Sequence, residues 1–405
     1  MNPAIVFDDG RGLLAPLRDL RPIFECRFGA MRTIERQKLG LQLDLLGVWV
    51  PESLEALSRE KLKVPVNTMP GDPSRVLLVS GRWALPDPDA LELRPGEAII
   101  EAGTGDVVAA YCTLDKAKAF IDSGFDAAAL GGSSSEAPAG SLVSRPWHAR
   151  AVRDDAIDAD LRVLMRRNRM KVPPRVDVIG HDDDILIDPK ATVMPGVVLD
   201  ASGGPVIVSM DAIIRPGAVL IGPVCIGPRC TVNDNAVIRP HTAIGSVCKV
   251  GGEVGGCVFQ GYSNKGHDGY LGDSWVGEWV NLGAATVCSN LLNTYGEVMS
   301  VAEPGGRRER TGQNFLGPVI GDHTKTAIGT RLMTGSVIGT GTMWAASAAL
   351  AGNVSPFTWA VDSGMKLHGL SRFEETMHAM MARRKMEPGP AYAERVRTLH
   401  AAAAG

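Results

Sequence analysis

Aliphatic residues recur every six positions through the middle of this chain, at Val208, Ile214, Leu220, Ile226, Val232, Ile238, Ile244 and Val250. Four residues after each stands a small or short one: Ala212, Ala218, Val224, Cys230, Ala236, Thr242, Cys248 and Val254. A helix repeats apolar residues at 3.6 and a surface strand at 2, so a six-residue period fits neither. It fits a prism of three flat sides, each taking one hexapeptide, with the aliphatic residue inside and Gly, Pro, Asn or Asp turning the corner (IGPRCT, VNDNAV, IRPHTA). Coils of this kind satisfy one another's backbone groups and stand only when stacked. The phase appears earlier at Ile187, Val193 and Leu199, slips by three residues around DASGGP, and returns at Val276, Leu282, Ile320, Thr326, Leu332 and Ile338. The fold class expected is an α/β N-terminal domain followed by a left-handed parallel β-helix over 185–350, with C-terminal helices.

Two stretches depart from the phase. From Gly251 to Tyr270 it is lost in a Gly-rich run, which puts His267 off the prism interior and within reach of solvent. From Ser289 to Phe315 a polar excursion loops out, and long excursions from a rigid scaffold are commonly functional.

At 405 residues the chain exceeds what one core supports. Residues 1–145 read as a separate α/β domain, in which β-type runs (AIVFDD, LLGVWV, RVLLVSG, EAIIEAG, DVVAAYC) alternate with helical pieces such as ESLEALSREK and LDKAKAFIDSG. GGSSSEAPAG reads as a surface loop, 146–184 as a helical linker, and 351–405 as two helices capping the open end of the solenoid. The net charge of −3 gives no footprint for nucleic acid or an anionic membrane. No stretch approaches the ~20 apolar residues of a membrane span, and the acidic N-terminus MNPAIVFDDGRG is no secretory signal. The seven cysteines form no CxxC pair and read as reduced core residues of a cytoplasmic protein.

KGHDGYLGDSWVGEWVNLGAATVCSN (265–290) resembles the acetyltransferase domain of the bifunctional sugar-1-phosphate nucleotidyltransferase/acetyltransferases. The matching positions are His267, Tyr270, Leu271-Gly272-Asp273, Asn281-Leu282-Gly283-Ala284 and Asn290, and TGQNFLGPVIGDHTKTAIGT resembles the family's return to the repeat. GRGLLAPLRDLRPIFECRFGAMRTIER (10–36) resembles a shortened nucleotidyltransferase signature, its glycine loop curtailed and Arg21-Pro22 standing where Pro-Lys is usual. The resemblance implies His267 as general base, since N-acylation needs a neutral amine and neutral imidazole suits its proton. It implies Tyr270 and Asn290 as positioning and oxyanion groups, and Asn281, Ala284, Gly329 and Thr330 along the pantetheine arm of acetyl-CoA, with Asn281 also placed to bind substrate. Lys325, a basic residue inside a repeat, is a candidate for phosphates of the sugar substrate or of CoA. Arg11, Arg18 and Arg21 are the N-terminal candidates for a nucleoside triphosphate or sugar phosphate, and Arg307, Arg308 and Arg310 for phosphates near the excursion.

Each of these residues also has an ordinary reading as a loop, corner or surface residue. Mg²⁺ is required only if nucleotidyl transfer occurs, with Asp8, Asp9 and Asp106 its carboxylate candidates. Zinc is not expected, because His241, His267 and His323 are scattered. Three functions remain open: an acyl-CoA-dependent, acetyl-type N-acyltransferase on an amino-sugar 1-phosphate in sugar-nucleotide biosynthesis, a sugar-1-phosphate nucleotidyltransferase making a nucleoside-diphosphate sugar with the β-helix for assembly or regulation, or a non-catalytic scaffold. A three-sided prism favours a homotrimer, with Trp275 and Trp279 filling the contact between prisms.

Overall fold

The hexads wind into a three-sided prism in the computed structural model, which describes residues 1–405. Every side is a parallel sheet whose strands come from successive coils. One side has nine strands, from Ile185–Ile187 to Asn353–Val354. A second has six, from Asp177–Ile179 to Tyr270–Gly272. The third runs from Thr192–Val193 to Asn264–Lys265 and continues through single bridges at Asn281 to Lys325–Thr326 and Thr358–Val361. The sixth-position residues fill the interior as one buried cluster.

The prism is longer than 185–350, since its first strand is Asp177–Ile179 and its last parallel rung reaches Trp359 and Ala360. The end coils lack a neighbour on one side, so their hexads are more polar and hide the period. Nor does Gly251 to Tyr270 break the prism. The regular coil takes 18 residues (Val206 pairs with Val224), whereas Ala243 pairs with Val258 and Val258 with Trp275, coils of 15 and 17. Shortened corners shift the phase while the ladder continues.

The N-terminal domain is a six-stranded sheet of β1 (Asn2–Phe7), β2 (Leu43–Trp49), β3 (Arg75–Ser80), β4 (Glu97–Glu101), β5 (Val107–Thr113) and β6 (Ser133–Ala137), in the order β2-β1-β3-β5-β4-β6. Helices α1 (Thr33–Gly40), α2 (Glu52–Lys61) and α3 (Leu114–Asp122) pack beside it. Strand β6 corrects the surface loop expected at GGSSSEAPAG. Its backbone pairs parallel with β4 while its serines stay exposed, so an edge strand carries the composition of a loop.

Two short helices, α4 (His148–Ala151) and α5 (Arg153–Leu164), then lead into the prism. Residues Ala156, Ile157, Leu161 and Leu164, together with Leu14 and Leu17, bury the outward residues of the nine-stranded side: Leu186, Ile207, Cys225, Ala243, Val258, Trp275 and Val319. Trp275 donates its indole N–H to the Arg27 carbonyl at 2.9 Å. Trp279 stacks on Tyr262 at 4.5 Å and is buried beside Leu54 and Phe373. Both tryptophans are therefore internal, and the intersubunit role expected of them is corrected.

The C-terminal helices are also relocated. Helix α6 (Leu370–Ala382) and α7 (Pro390–Ala403) do not cap the prism end. Phe373, Met377, Met381, Tyr392 and Val396 wedge between prism and N-terminal domain, in one cluster with Leu54, Leu57 and Phe357.

A buried bidentate pair ties α1 to α5. Arg36 Nε and Nη2 each reach Asp160 at 2.7 Å, and the Met31 N–H donates to the same carboxylate at 2.7 Å. Asp160→Ala leaves a buried guanidinium without its partner, so urea unfolding should show a loss of ~3–5 kcal/mol. A loss under ~1 kcal/mol, the worth of a surface pair, would show the latch to be dispensable.

Candidate functional site

The third side of the prism carries an outward ladder of Lys249, Asn264, Asn281 and Lys325 on successive rungs. This ladder floors a groove of about 700 Å³. The His267 corner lines it, as do Gly283 and Ala284, and the stacked Tyr262 and Trp279 stand at its border. Gly283 is required there, because a Cβ would lie 2.5 Å from the Ala327 backbone. Helix α6 forms the opposite wall with Thr376, Ala379 and Met380, one face at three- and four-residue spacing, and the turn that ends it adds Arg383 and Arg384. Its other face, Phe373, Met377 and Met381, is the one buried in the core.

The groove's charge is one-sided. Lys249, Lys325, Arg383 and Arg384 line it and no Asp or Glu does. Burial pushes the Lys325 ammonium down to about 8, and its one bond is to the His323 carbonyl at 3.2 Å. Arg384 donates to Asn264 Oδ1 at 2.9 Å. A cationic surface without counter-charge, with Lys325 desolvated at its floor, suits a phosphorylated ligand.

His267, Asn281 and Ala284 thus meet Lys325, some forty residues further along the chain, in one groove. His267 is an exposed corner residue. Tyr270 and Asn290 meet each other elsewhere: Asn290 Nδ2 donates to Tyr270 Oη at 3.1 Å and to Asp273 Oδ2 at 2.7 Å, and Asp273 also binds Arg150 and Arg153. Burial raises the Tyr270 phenol to about 12, so it stays protonated. Gly329 and Thr330 follow the groove residue Ile328, and Thr330 donates its hydroxyl to Ala327 O at 2.9 Å. Arg383 and Arg384, just past α6, were not among the sequence candidates, because 351–405 reads as helices capping the solenoid; the signal was a polar stripe opposite Phe373, Met377 and Met381.

The N-terminal candidates are committed within the chain. Arg21 is buried against Asp322 at 2.8 Å and Glu278 at 3.3 Å, an ion-pair cluster that joins the N-terminal segment to the prism. Arg18 binds Asp8, and Arg11 binds Asp106. Buried Arg82 holds Asp9 Oδ2 at 2.6 Å and also binds Asp106. Asp8 accepts the N–H groups of Gly10 at 3.0 Å and Ile23 at 2.9 Å. A Mg²⁺ site does not fit this arrangement: a guanidinium already lies between the two carboxylates that would hold the ion. The excursion closes over the same cleft. Its antiparallel hairpin, Met299–Val301 with Arg308–Arg310, places Glu309 2.8 Å from Arg145, and Val298, Ala302 and Leu316 pack on Trp147.

Residues 4–169 match the model of the sugar nucleotidyl transferase family. Among curated proteins, a bifunctional sugar-1-phosphate nucleotidylyltransferase/acetyltransferase of Sulfurisphaera tokodaii is 36% identical over 138 residues, 34% of this chain and 34% of the relative. The bifunctional protein GlmU of Nocardia farcinica is 28% identical over 197 residues, 45% of this chain and 36% of that protein. Over these aligned stretches the chain is similar to bifunctional sugar-1-phosphate nucleotidylyltransferase/acetyltransferases. The matches span about a third of the length of those relatives. The UDP-N-acetylglucosamine acyltransferase of Francisella novicida aligns over 54% of this chain and 72% of its own, at 14% identity and a TM-score of 0.20. No helix is long and apolar enough to cross a membrane.

The Arg82 arrangement has a direct consequence. Calorimetry with Mn²⁺ at millimolar concentration should give no saturable binding to the native chain, and Arg82→Met should gain a site by freeing the Asp9 carboxylate and the Asp106 Oδ2 oxygen. One tight Mn²⁺ site in the unaltered protein would show that the carboxylates are open after all.

Proposed function

We propose that the chain is an acyl-CoA-dependent N-acyltransferase acting on an amino-sugar phosphate, with His267 as general base. The observation that carries this reading is the accessible imidazole on a groove lined by four cations and no carboxylate. Lys325, with Lys249 and the two arginines just past α6, grips phosphoryl oxygens. Asn281 and Asn264 offer amide groups to sugar hydroxyls, and Ala284 leaves room for an extended thioester arm. The neutral amine attacks the thioester carbonyl while His267 takes its proton. The tetrahedral intermediate collapses, the C–S bond breaks, and the proton passes to the leaving thiolate. Acetyl-CoA is the donor proposed, and glucosamine 1-phosphate is the acceptor to test first.

Assembly as a homotrimer is part of the reading. The chain covers the nine-stranded side itself and leaves the other two open. Exposed apolar residues, Ile213, Val287, Met333 and the 80% exposed Ile328, lie on strands and corners away from the covered side. The three-fold packing proposed here runs through those two sides. A second reading, sugar-1-phosphate nucleotidyl transfer, is favoured by the family match of residues 4–169. Pyrophosphate release from a nucleoside triphosphate and a sugar 1-phosphate distinguishes it from release of free CoA.

His267→Ala should lower kcat for acyl transfer by ~10²–10⁴-fold, with little change in KM for acyl-CoA. Full activity in the folded variant would remove the mechanism. Lys325 gives a second test. It is charged below about 8 and neutral above, so KM for the phosphorylated acceptor should rise as pH climbs through that value. Lys325→Met should raise this KM at pH 7 and abolish the alkaline rise; a rise that persists in Lys325→Met excludes this lysine as the phosphate group's partner.

A further inference from the structure

The interior of the prism contains a lysine. On the third side the inward row reads Val193, Ile214, Val232, Val250, Lys265, Leu282, each stacked on the last. Lys265 stands where an aliphatic residue belongs, and it is 2% exposed. Burial pushes its ammonium down to about 8, which leaves it charged at neutral pH. No carboxylate lies within salt-bridge distance of it, although the charge of Asp268 acts on it from farther off and favours the ammonium form. The nearby thiols of Cys257 and Cys288 are raised by burial to about 12 and about 11 and stay neutral. An unpaired interior charge is costly, and a well-packed apolar residue commonly serves stability better. What the ammonium does hold is backbone: it donates to Gly251 O at 3.0 Å and His267 O at 2.6 Å.

The second of those carbonyls belongs to the candidate base. The preceding one, Gly266 O, accepts from Asn233 Nδ2 at 2.8 Å. Below the corner lies Gly252, where a Cβ would come within 2.9 Å of the His267 carbonyl. The coil here is one of the shortened ones, so the regular corner geometry of the prism is unavailable to fix the turn.

We propose that Lys265 is a positioning residue of the acyl-transfer site, its ammonium reaching out from inside the prism to hold the backbone of the His267 corner. This rests on the acyltransferase reading for its effect on catalysis, but not for its effect on the corner. A side chain that only filled space here would be replaceable by any residue of similar length.

Lys265→Met, matched in length to the aliphatic row, and Lys265→Gln, which keeps an N–H donor, test it by kinetics and by hydrogen exchange. Lys265→Met should lower kcat by ~10²-fold, the effect of a base displaced by about an ångström, with KM for acyl-CoA unchanged. Amide exchange should quicken in 264–270 and remain as in the native chain in 206–208 and 319–320. Lys265→Gln should recover part of the kcat. Unchanged kcat and unchanged exchange in Lys265→Met overturn the proposal, as does exchange that quickens over all coils alike, which marks general loosening. Should Lys265→Met fail to fold, the same two readouts on Lys265→Gln decide. If the native chain transfers no acyl group, quicker exchange confined to 264–270 sustains the positioning role while the acyltransferase reading falls.

Discussion

The nine-stranded side of the prism is apolar on its outer as well as its inner surface, and the rest of the molecule is arranged to keep that surface from water. Leu186, Ile207, Val258, Trp275 and Val319 point outward along it, residues whose full burial is worth about 1.5–3 kcal/mol apiece. Covering them takes α5 and the segment after β1, so the N-terminal domain is seated against the solenoid by its own hydrophobic residues. The buried polar pairs follow from that seating. Arg36 with Asp160, and Arg21 with Asp322 and Glu278, are ion pairs formed where two domains close over charges that must then be matched. Asp322 shows the strain of sharing: burial raises its carboxyl to about 6 even with Arg21 beside it.

With one side covered, chemistry is left to the other two. The C-terminal helices fill the seam between domain and prism, and α6, buried along Phe373, Met377 and Met381, turns its opposite face toward the outward ladder of the third side. The groove is therefore a by-product of covering the apolar side, and its wall comes from residues more than 90 positions beyond Asn281. Its electrostatics have a similar origin. The acids near the domain junction are drawn into pairs with Arg21 and Arg32, whereas Lys249, Lys325 and Arg383 have no carboxylate within salt-bridge distance.

The hexads were legible because a prism demands the same residue type at the same inward position, coil after coil, and Val208 through Val250 meet that demand without exception. The N-terminal strands were legible from β-branched runs, and ESLEALSREK is α2 residue for residue. Legibility failed where a side chain answers to a distant partner. Trp275 and Trp279 have the size and spacing of an interface pair, yet the surfaces that receive them, Arg27 O and the Tyr262 ring, are set by the domain packing. Lys265 in the inward row reads as lost phase until the ladder shows Val250 beneath it and Leu282 above. Within the candidate site, His267, Asn281 and Ala284 came from resemblance and Lys325 from its charge inside a repeat, and they do converge. Tyr270 and Asn290 carry the same resemblance, but their bonds to each other and to Asp273 point them to a different corner of the coil.

The N-terminal domain keeps its sheet although its cleft is closed to a metal, and packing explains how both can hold. Its charges cancel locally: Arg82 lies between Asp9 and Asp106, Arg18 answers Asp8, and the hairpin brings Glu309 to Arg145. The arginines there are each already paired with a carboxylate. Yet the domain still covers the apolar side of the solenoid, a duty independent of catalysis. The two functional readings are consequently separable by point substitution and not by truncation. Removing residues 1–169 would bare Trp275 and its neighbours and release Tyr392 and Phe373 from their core, which would disturb α6 and with it the groove. Acyl transfer lost from such a fragment would report on an exposed hydrophobic face and say nothing about whether the missing domain performed chemistry of its own.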